Sequence, residues 1–298
     1  MNRSAASPVF GLLAAFRQSR DDLVAKVWNP GHSAWRRAQG RVILLGAGPG
    51  AADLITLRGL KALQTADVIF YDRLCDPALL AHARPGATCV SVGKAPGNHS
   101  LPQDQINQRL VGAARQGLTV VRLKCGDPGV FGRGAEEAQA LTEAGIAWQI
   151  IPGVTAACAA AAAADSFLTE RGQTERVVFA TGHRRDGDMT DWTACAAPGT
   201  TLACYMAVSA VVDLQNGLMQ AGWPGDCPVE IISKAQTTEQ RVLRGALAGL
   251  ADLCAGQQSL NPAILLVRWP ASCRNAVVQA SAGWRGPMPP VPLWTPPR

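Results

Sequence analysis

The chain has 298 residues, of which 48% are hydrophobic and 17% charged, enough to bury a large core in one or two domains. Its formal charge is +6, yet the basic residues are scattered and only 5% of residues are aromatic, which disfavours a nucleic-acid surface and favours an acidic small-molecule partner. No apolar run reaches the roughly 18–20 residues of a membrane span, and nine cysteines without a C-x-x-C pair suggest reduced thiols of a cytoplasmic protein rather than a disulfide framework or a metal site.

Residues 1–40 read as an N-terminal extension, a short amphipathic helix or a disordered arm. The apolar patch at 8–16 is followed by Arg17, Arg20, Asp21 and Asp22 with no small-residue cleavage site, so an export signal is rejected. A buried strand is expected at 42–45, followed by Gly46-Ala-Gly-Pro-Gly50. That turn resembles the dinucleotide fingerprint G-x-G-x-x-G, but Ala51 stands at the third glycine and Pro49 sits in the turn, which argues against a nicotinamide-dependent oxidoreductase. Helix 57–65, strand 68–71 ending at Asp72-Arg73, helix 77–83, strand 88–92 ending at Gly93-Lys94 and helix 103–116 continue the alternation.

The stretch Val121 to Glu137 organises the rest. An apolar strand over 118–123 opens into a loop carrying Gly126, Asp127, Pro128, Gly129, Gly132, Arg133 and Gly134. Glu136 and Glu137 then start a helix over 134–144, where carboxylates suit the positive end of the dipole. A strand follows at 148–151. Strand, glycine-rich loop and helix form the usual ligand-binding arrangement at the carboxyl end of a parallel strand. Four such ends, at Gly46–Gly50, Asp72-Arg73, Gly93-Lys94 and Gly126–Gly134, would converge on one cleft.

Pro152-Gly-Val-Thr155 punctuates the chain, and Thr155 is placed to cap the alanine-rich helix after it. Strands are then expected at 176–181, 201–205, 229–233, 241–245 and 263–267, with helices at 210–220 and 247–254. Two consecutive strands, 229–233 and 241–245, suggest an antiparallel hairpin. The resulting expectation is α/β, with two α/β domains: an N-terminal parallel sheet over 41–153 and a C-terminal mixed sheet over 154–270. Residues 271–298 form a proline-rich tail.

These motifs give the chain a clear resemblance to the tetrapyrrole (corrin/porphyrin) methylases. They are Gly46–Gly50 with Leu54-Ile-Thr-Leu57, Tyr71-Asp-Arg-Leu74, Val92-Gly-Lys94, Gln105-Ile-Asn107, the stretch Val121 to Glu137, Pro152-Gly-Val-Thr-Ala156, Leu168-Thr169 with Arg171, Thr181-Gly-His183 and Tyr205-Met206. The resemblance spans about residues 41–268. It implies S-adenosylmethionine bound in the cleft between the two domains, a homodimer, and methylation of uroporphyrinogen III at C2 and C7 to give precorrin-2. By the family's pattern, Asp72 is the proton acceptor, Lys94 the proton donor, and Arg133 faces the substrate. The cofactor would touch Pro49, Cys125, Gly126, Asp127, Val130, Thr155, Ala156, Met206 and Ala235. Asp127 reads as a hydrogen-bond acceptor for the cofactor rather than a base, and no metal is implied.

The chain departs from the pattern at Cys125 and Ala235, where glycine is usual, at Gly129, where phenylalanine is usual, and at Glu170, where histidine is usual. A methylase of a later corrinoid intermediate, or a catalytically weakened tetrapyrrole-binding relative, are the alternative readings.

Overall fold

A computed structural model of the chain describes residues 40–93, 101–182, 191–257 and 259–271. The extension at 1–39, most of the tail, Lys94 and His183 lie outside the described residues. The expected elements form close to their expected bounds. The first sheet contains β1 (Arg41–Gly46), β2 (Val68–Tyr71), β3 (Thr88–Ser91), β4 (Thr119–Lys124) and β5 (Ala147–Ile151) in the order β3-β2-β4-β1-β5. Every pairing is parallel.

Helices cover both faces. Helix α1 (Leu57–Thr65) begins where Thr56 Oγ1 accepts the Gly59 N–H, a side-chain cap of the ordinary kind. It shares a core with Ile43, Leu45, Ile69, Val121 and Leu123. Helices α2 (Gln103–Arg115) and α3 (Gly134–Glu143) cover the other face, over Val42, Leu44, Phe70 and Val120. The buried residues of α2 are Ile106, Leu110 and Ala114, one stripe at spacing four. The segment expected to be helical after β2 is a 3-10 turn, Pro77–His82.

The second sheet contains β6 (Arg176–Thr181), β7 (Thr200–Tyr205), β8 (Pro228–Ser233), β9 (Arg241–Ala246) and β10 (Ala263–Trp269), in the order β6-β7-β10-β8-β9. β6 and β7 are parallel, β10 is antiparallel to β7 and β8, and β8–β9 is the expected hairpin. Helices α5 (Val211–Gln220) and α6 (Leu250–Cys254) pack on one face with Trp192, Leu214 and Trp223.

Helix α4 (Ala156–Ala163), all alanine except Cys158, lies on the other face against Ala203, Tyr205, Ile232, Ile264 and Leu266. Three side chains from 236–244 hydrogen-bond carbonyls of this helix and its C-cap: Gln236 to Ala159, Gln240 to Ala163 and Arg244 to Ala164. Beside them Glu230, nearly buried, accepts from Arg244, Arg268 and Ser166. No helix among the described residues is long and apolar enough to cross a membrane.

Candidate active site

In the first sheet β1 lies between β4 and β5, while the chain leaving β1 passes over β4 to reach β2. Ligand crevices form at such switch points, outside the carboxyl ends of the strands. Here the loops after β1 and β4 join. Ala47 N–H donates to Lys124 O at 2.8 Å, Gly126 N–H to Gly48 O at 3.0 Å and Gly48 N–H to Gly126 O at 3.3 Å. Gly46, Gly126 and Gly153 interlock. A Cβ on Gly153 would stand 2.3 Å from Gly126 O and 2.9 Å from Gly46 Cα, closer than any side chain tolerates. The glycine punctuation is therefore a backbone-packing requirement.

The same loops reach the second domain. A Cβ on Gly50 would stand 2.4 Å from Ala235 O, so Pro49 and Ala235 come to one wall. Asp127 holds the loop to the strand ends: its Oδ1 accepts Gly129 N–H at 2.7 Å and its Oδ2 accepts Gly153 N–H at 3.0 Å. Val130 packs among Ala156, Tyr205 and Ala235. Gly126 takes φ 72°, and a Cβ there would make ordinary contact with Ala156 N at 3.7 Å and Val154 O at 3.9 Å.

The start of α4 departs from expectation. Thr155 occupies the N-cap position, but its side chain caps no backbone N–H. Its hydroxyl lies 2.7 Å from Tyr205 Oη, and Tyr205 Oη accepts the Ala157 N–H at 3.1 Å. A phenol fifty residues away thus takes the role assigned to the threonine. The Tyr205 ring meets Phe131 at 4.9 Å and Phe179 at 6.0 Å between centroids. Its neighbour Met206 turns out of the strand at φ 53° and is 49% exposed.

Asp72 sits at the end of β2, with Oδ1 2.5 Å from Arg122 Nη2 and the side chain 31% exposed. Arg122 and Lys124 point inward from β4, each with 3% side-chain exposure, toward a fully buried Glu137. Glu137 Oε1 accepts from Arg122 Nε at 2.8 Å, Lys124 Nζ at 3.1 Å and Gln103 Nε2 at 3.3 Å. Its Oε2 also lies 3.1 Å from Lys124 Nζ, without hydrogen-bond geometry. Burial pulls the Arg122 guanidinium down, but the Asp72 and Glu137 charges outweigh it and leave the group above its ordinary range. Burial and the Arg122 charge hold the Lys124 ammonium below its ordinary range, since Glu137 and Asp72 offset them only in part. Burial, with the Asp72 charge adding, pushes the Cys125 thiol up to about 11.

Arg133 takes a left-handed conformation at φ 56° ahead of α3 and forms a two-pronged pair with Glu136, both bonds at 2.7 Å. That hydrogen bond raises its pKa above the usual value. The turn at 46–50 thus meets Gly126, Gly153 and Ala235, Asp127 ties its loop to Gly153, and Thr155 and Ala157 meet Tyr205, with Asp72 close enough to Cys125 to bear on its thiol. The sequence reading missed Tyr205 as a cap and the Arg122–Lys124–Glu137 cluster. A signal for the cluster exists: two basic residues at spacing two inside an otherwise apolar strand place both charges on one sheet face.

Val130, Ala156 and Ala235 pack against one apolar cluster beside the joined glycine turns, and the half-exposed Met206 follows Tyr205 of that cluster. Among the described residues no cluster of His, Cys, Asp or Glu could hold a metal ion.

The profile of the family "Tetrapyrrole (Corrin/Porphyrin) Methylases" matches residues 41–251. A sirohaem synthase of Zymomonas mobilis is 47% identical over 230 residues, covering 77% of this chain and 48% of that protein. The chain spans about half the length of the curated relatives it matches. Among solved structures, the uroporphyrin-III C-methyltransferase of Thermus thermophilus, in complex with S-adenosyl homocysteine, superposes with a TM-score of 0.67 at 34% identity, covering 77% of this chain and 97% of that one. A cobalt precorrin-4 methyltransferase does so with a TM-score of 0.69 at 30% identity, covering 80% and 98%.

Proposed function

This chain belongs to the tetrapyrrole (corrin/porphyrin) methylases, and from that premise we propose that it methylates uroporphyrinogen III at C2 and C7 with S-adenosylmethionine, giving precorrin-2. The observation that supports this reading is that the segments 46–50, 126–127, 153–155, 205 and 235 meet one another, with a carboxylate, Asp72, at the end of β2 near Cys125. The likeness to a uroporphyrin-III C-methyltransferase solved with S-adenosyl homocysteine adds to it.

When bound, S-adenosylmethionine supplies an electrophilic methyl group. Pro49, Gly126, Thr155, Ala156, Met206 and Ala235 would hold it against the joined loops, and Val130 with Met206 would keep water from the transfer. A pyrrole ring that has gained a methyl at one carbon carries the positive charge as an iminium at its nitrogen. The Asp72 carboxylate stabilises that charge and takes up the proton released. Arg133 exchanges its Glu136 partner for carboxylates on the macrocycle rim. Lys94, the proposed proton donor, lies outside the described residues. Asp127 acts by shaping the loop, since both its oxygens bind backbone N–H groups. The protein would work as a cytoplasmic homodimer.

A second reading, methylation of a later corrinoid, is favoured by the likeness to the cobalt precorrin-4 methyltransferase. Anaerobic incubation with uroporphyrinogen III and S-adenosylmethionine, followed by mass spectrometry of the pigments, separates the two. Two added methyl groups are expected. Tight S-adenosyl homocysteine binding without any addition to this macrocycle would move the assignment to a later substrate.

A further inference from the structure

The cluster under Asp72 has a geometry that stability does not explain. Burying three charged groups is costly, and such pairs can often be replaced by apolar side chains without loss. Yet Arg122, Lys124 and Glu137 are almost wholly enclosed, where the carboxyl end of β4 meets the first turn of α3. Arg122 uses all three guanidinium nitrogens. Nε donates to Glu137, Nη1 to Leu123 O at 3.1 Å and Nη2 to Asp72 Oδ1. A planar fork held at three points has one orientation, and it presents Nη2 to the Asp72 carboxylate from one fixed direction. Among the described residues, Asp72 Oδ1 is the only Asp72 side-chain oxygen given a hydrogen bond, and the side chain keeps 31% exposure.

Glu137 fixes the other end. It comes from the first turn of α3, where the helix dipole favours a carboxylate, and it gathers both cations from β4. Lys124 runs beneath the glycine loop, its Cε 3.2 Å from where a Cβ of Gly132 would be. The cluster therefore ties the end of β2, the end of β4 and the first turn of α3 into one unit.

We propose that Arg122, braced by Glu137, is a positioning residue for methyl transfer: it holds the Asp72 carboxylate in its working orientation at the cleft. This rests on the methylation reading above. Lysine cannot replace it, because a single ammonium cannot bridge both carboxylates in one plane.

The test compares Arg122→Lys and Glu137→Gln, each alone and in an Asp72→Asn background, in anaerobic assays with uroporphyrinogen III. S-adenosyl homocysteine affinity, measured by calorimetry, reports an intact cleft. Each single variant is expected to lower kcat about 100-fold, the size of a misplaced reacting group, with KM and S-adenosyl homocysteine affinity within about twofold of the wild type. In the Asp72→Asn background the same substitutions should lower kcat by less than about threefold, since their effect passes through Asp72. Equal losses in both backgrounds, or an unchanged kcat, would overturn the proposal and leave the cluster a structural role. Should Arg122→Lys not fold, Glu137→Gln decides by the same criteria. An Asp72→Asn chain as fast as the wild type would remove the group being positioned and so overturn it too. Failure of the methylation reading shows earlier and separately, as a wild-type chain that adds no methyl group, and removes this role with it.

Discussion

Replacing Tyr205 by Phe isolates the cap of α4. The ring stays, so its packing on Phe131 and Phe179 is kept and no cavity forms. What goes is the oxygen that accepts the Ala157 N–H and meets the Thr155 hydroxyl. A buried N–H left without an acceptor costs about 1–3 kcal/mol. Thr155 already stands at the N-cap position with extended backbone, so its hydroxyl can turn to the helix and restore up to about 1 kcal/mol. The net loss is then about 1–2 kcal/mol. Thr155→Val alone removes one hydroxyl contact and orphans no backbone group, so it should cost only about 0.5–1 kcal/mol. The double variant loses the fallback and should cost about 2–3 kcal/mol. Urea unfolding followed by circular dichroism, with m held common, gives the ordering directly. A Thr155→Val chain less stable than Tyr205→Phe would refute the reasoning, because it would make the threonine the cap after all. S-adenosyl homocysteine affinity should fall in the same order as stability, since this helix start lies against Gly126, with Ala156 N 3.7 Å from where its Cβ would be.

Three further outcomes are expected. Gly153→Ala should lose at least about 2 kcal/mol of stability, because its Cβ would meet Gly126 O and Gly46 with no flexible side chain to give way; urea midpoints check this. Asp127→Asn can serve only one of the two backbone donors and should weaken S-adenosyl homocysteine binding about tenfold, or roughly 1.4 kcal/mol, read by calorimetry. Cys125, with its pKa at about 11 against an ordinary 9.0, should react with iodoacetamide at pH 8 about 100-fold more slowly than an unperturbed thiol, as followed by peptide mass spectrometry. Because that folded value is raised, its stabilising contribution is complete below about pH 9 and is lost as the pH climbs through about 11.

Most of the fold was legible because its elements carry strong periodicity and clean punctuation. Helix α1 and strand β2 match their expected bounds, since Thr56 caps one and Asp72 ends the other. The loop junction was legible for a different reason: glycines at 46, 48 and 153 lie where a Cβ would strike a neighbouring segment, and Gly126 takes φ 72°, which favours glycine. What could not be read were contacts between distant segments. Thr155 sits next to its helix and looked sufficient as a cap, whereas Tyr205, fifty residues on, is the actual partner. Glu136 and Glu137 looked alike as dipole carboxylates. One pairs with Arg133 on the surface, while the other turns inward because Arg122 and Lys124 wait on the strand below. That difference depends on helix rotation against the sheet, which local pattern does not specify.

The alanine helix α4 carries a last consequence. Its surface of near-identical methyl groups gives the sheet beneath it almost nothing to grip, so side-chain shape cannot prevent the helix from rotating or sliding by a residue. The grip comes instead from Gln236, Gln240 and Arg244, whose amide and guanidinium groups hold carbonyls along its length and at its end. Tyr205 holds the first turn of α4, and residues about eighty positions later in the chain hold its middle and its end. The rod is thus pinned at both ends by polar groups, and loss of Gln236, Gln240 and Arg244 together would leave Tyr205 to hold its direction alone.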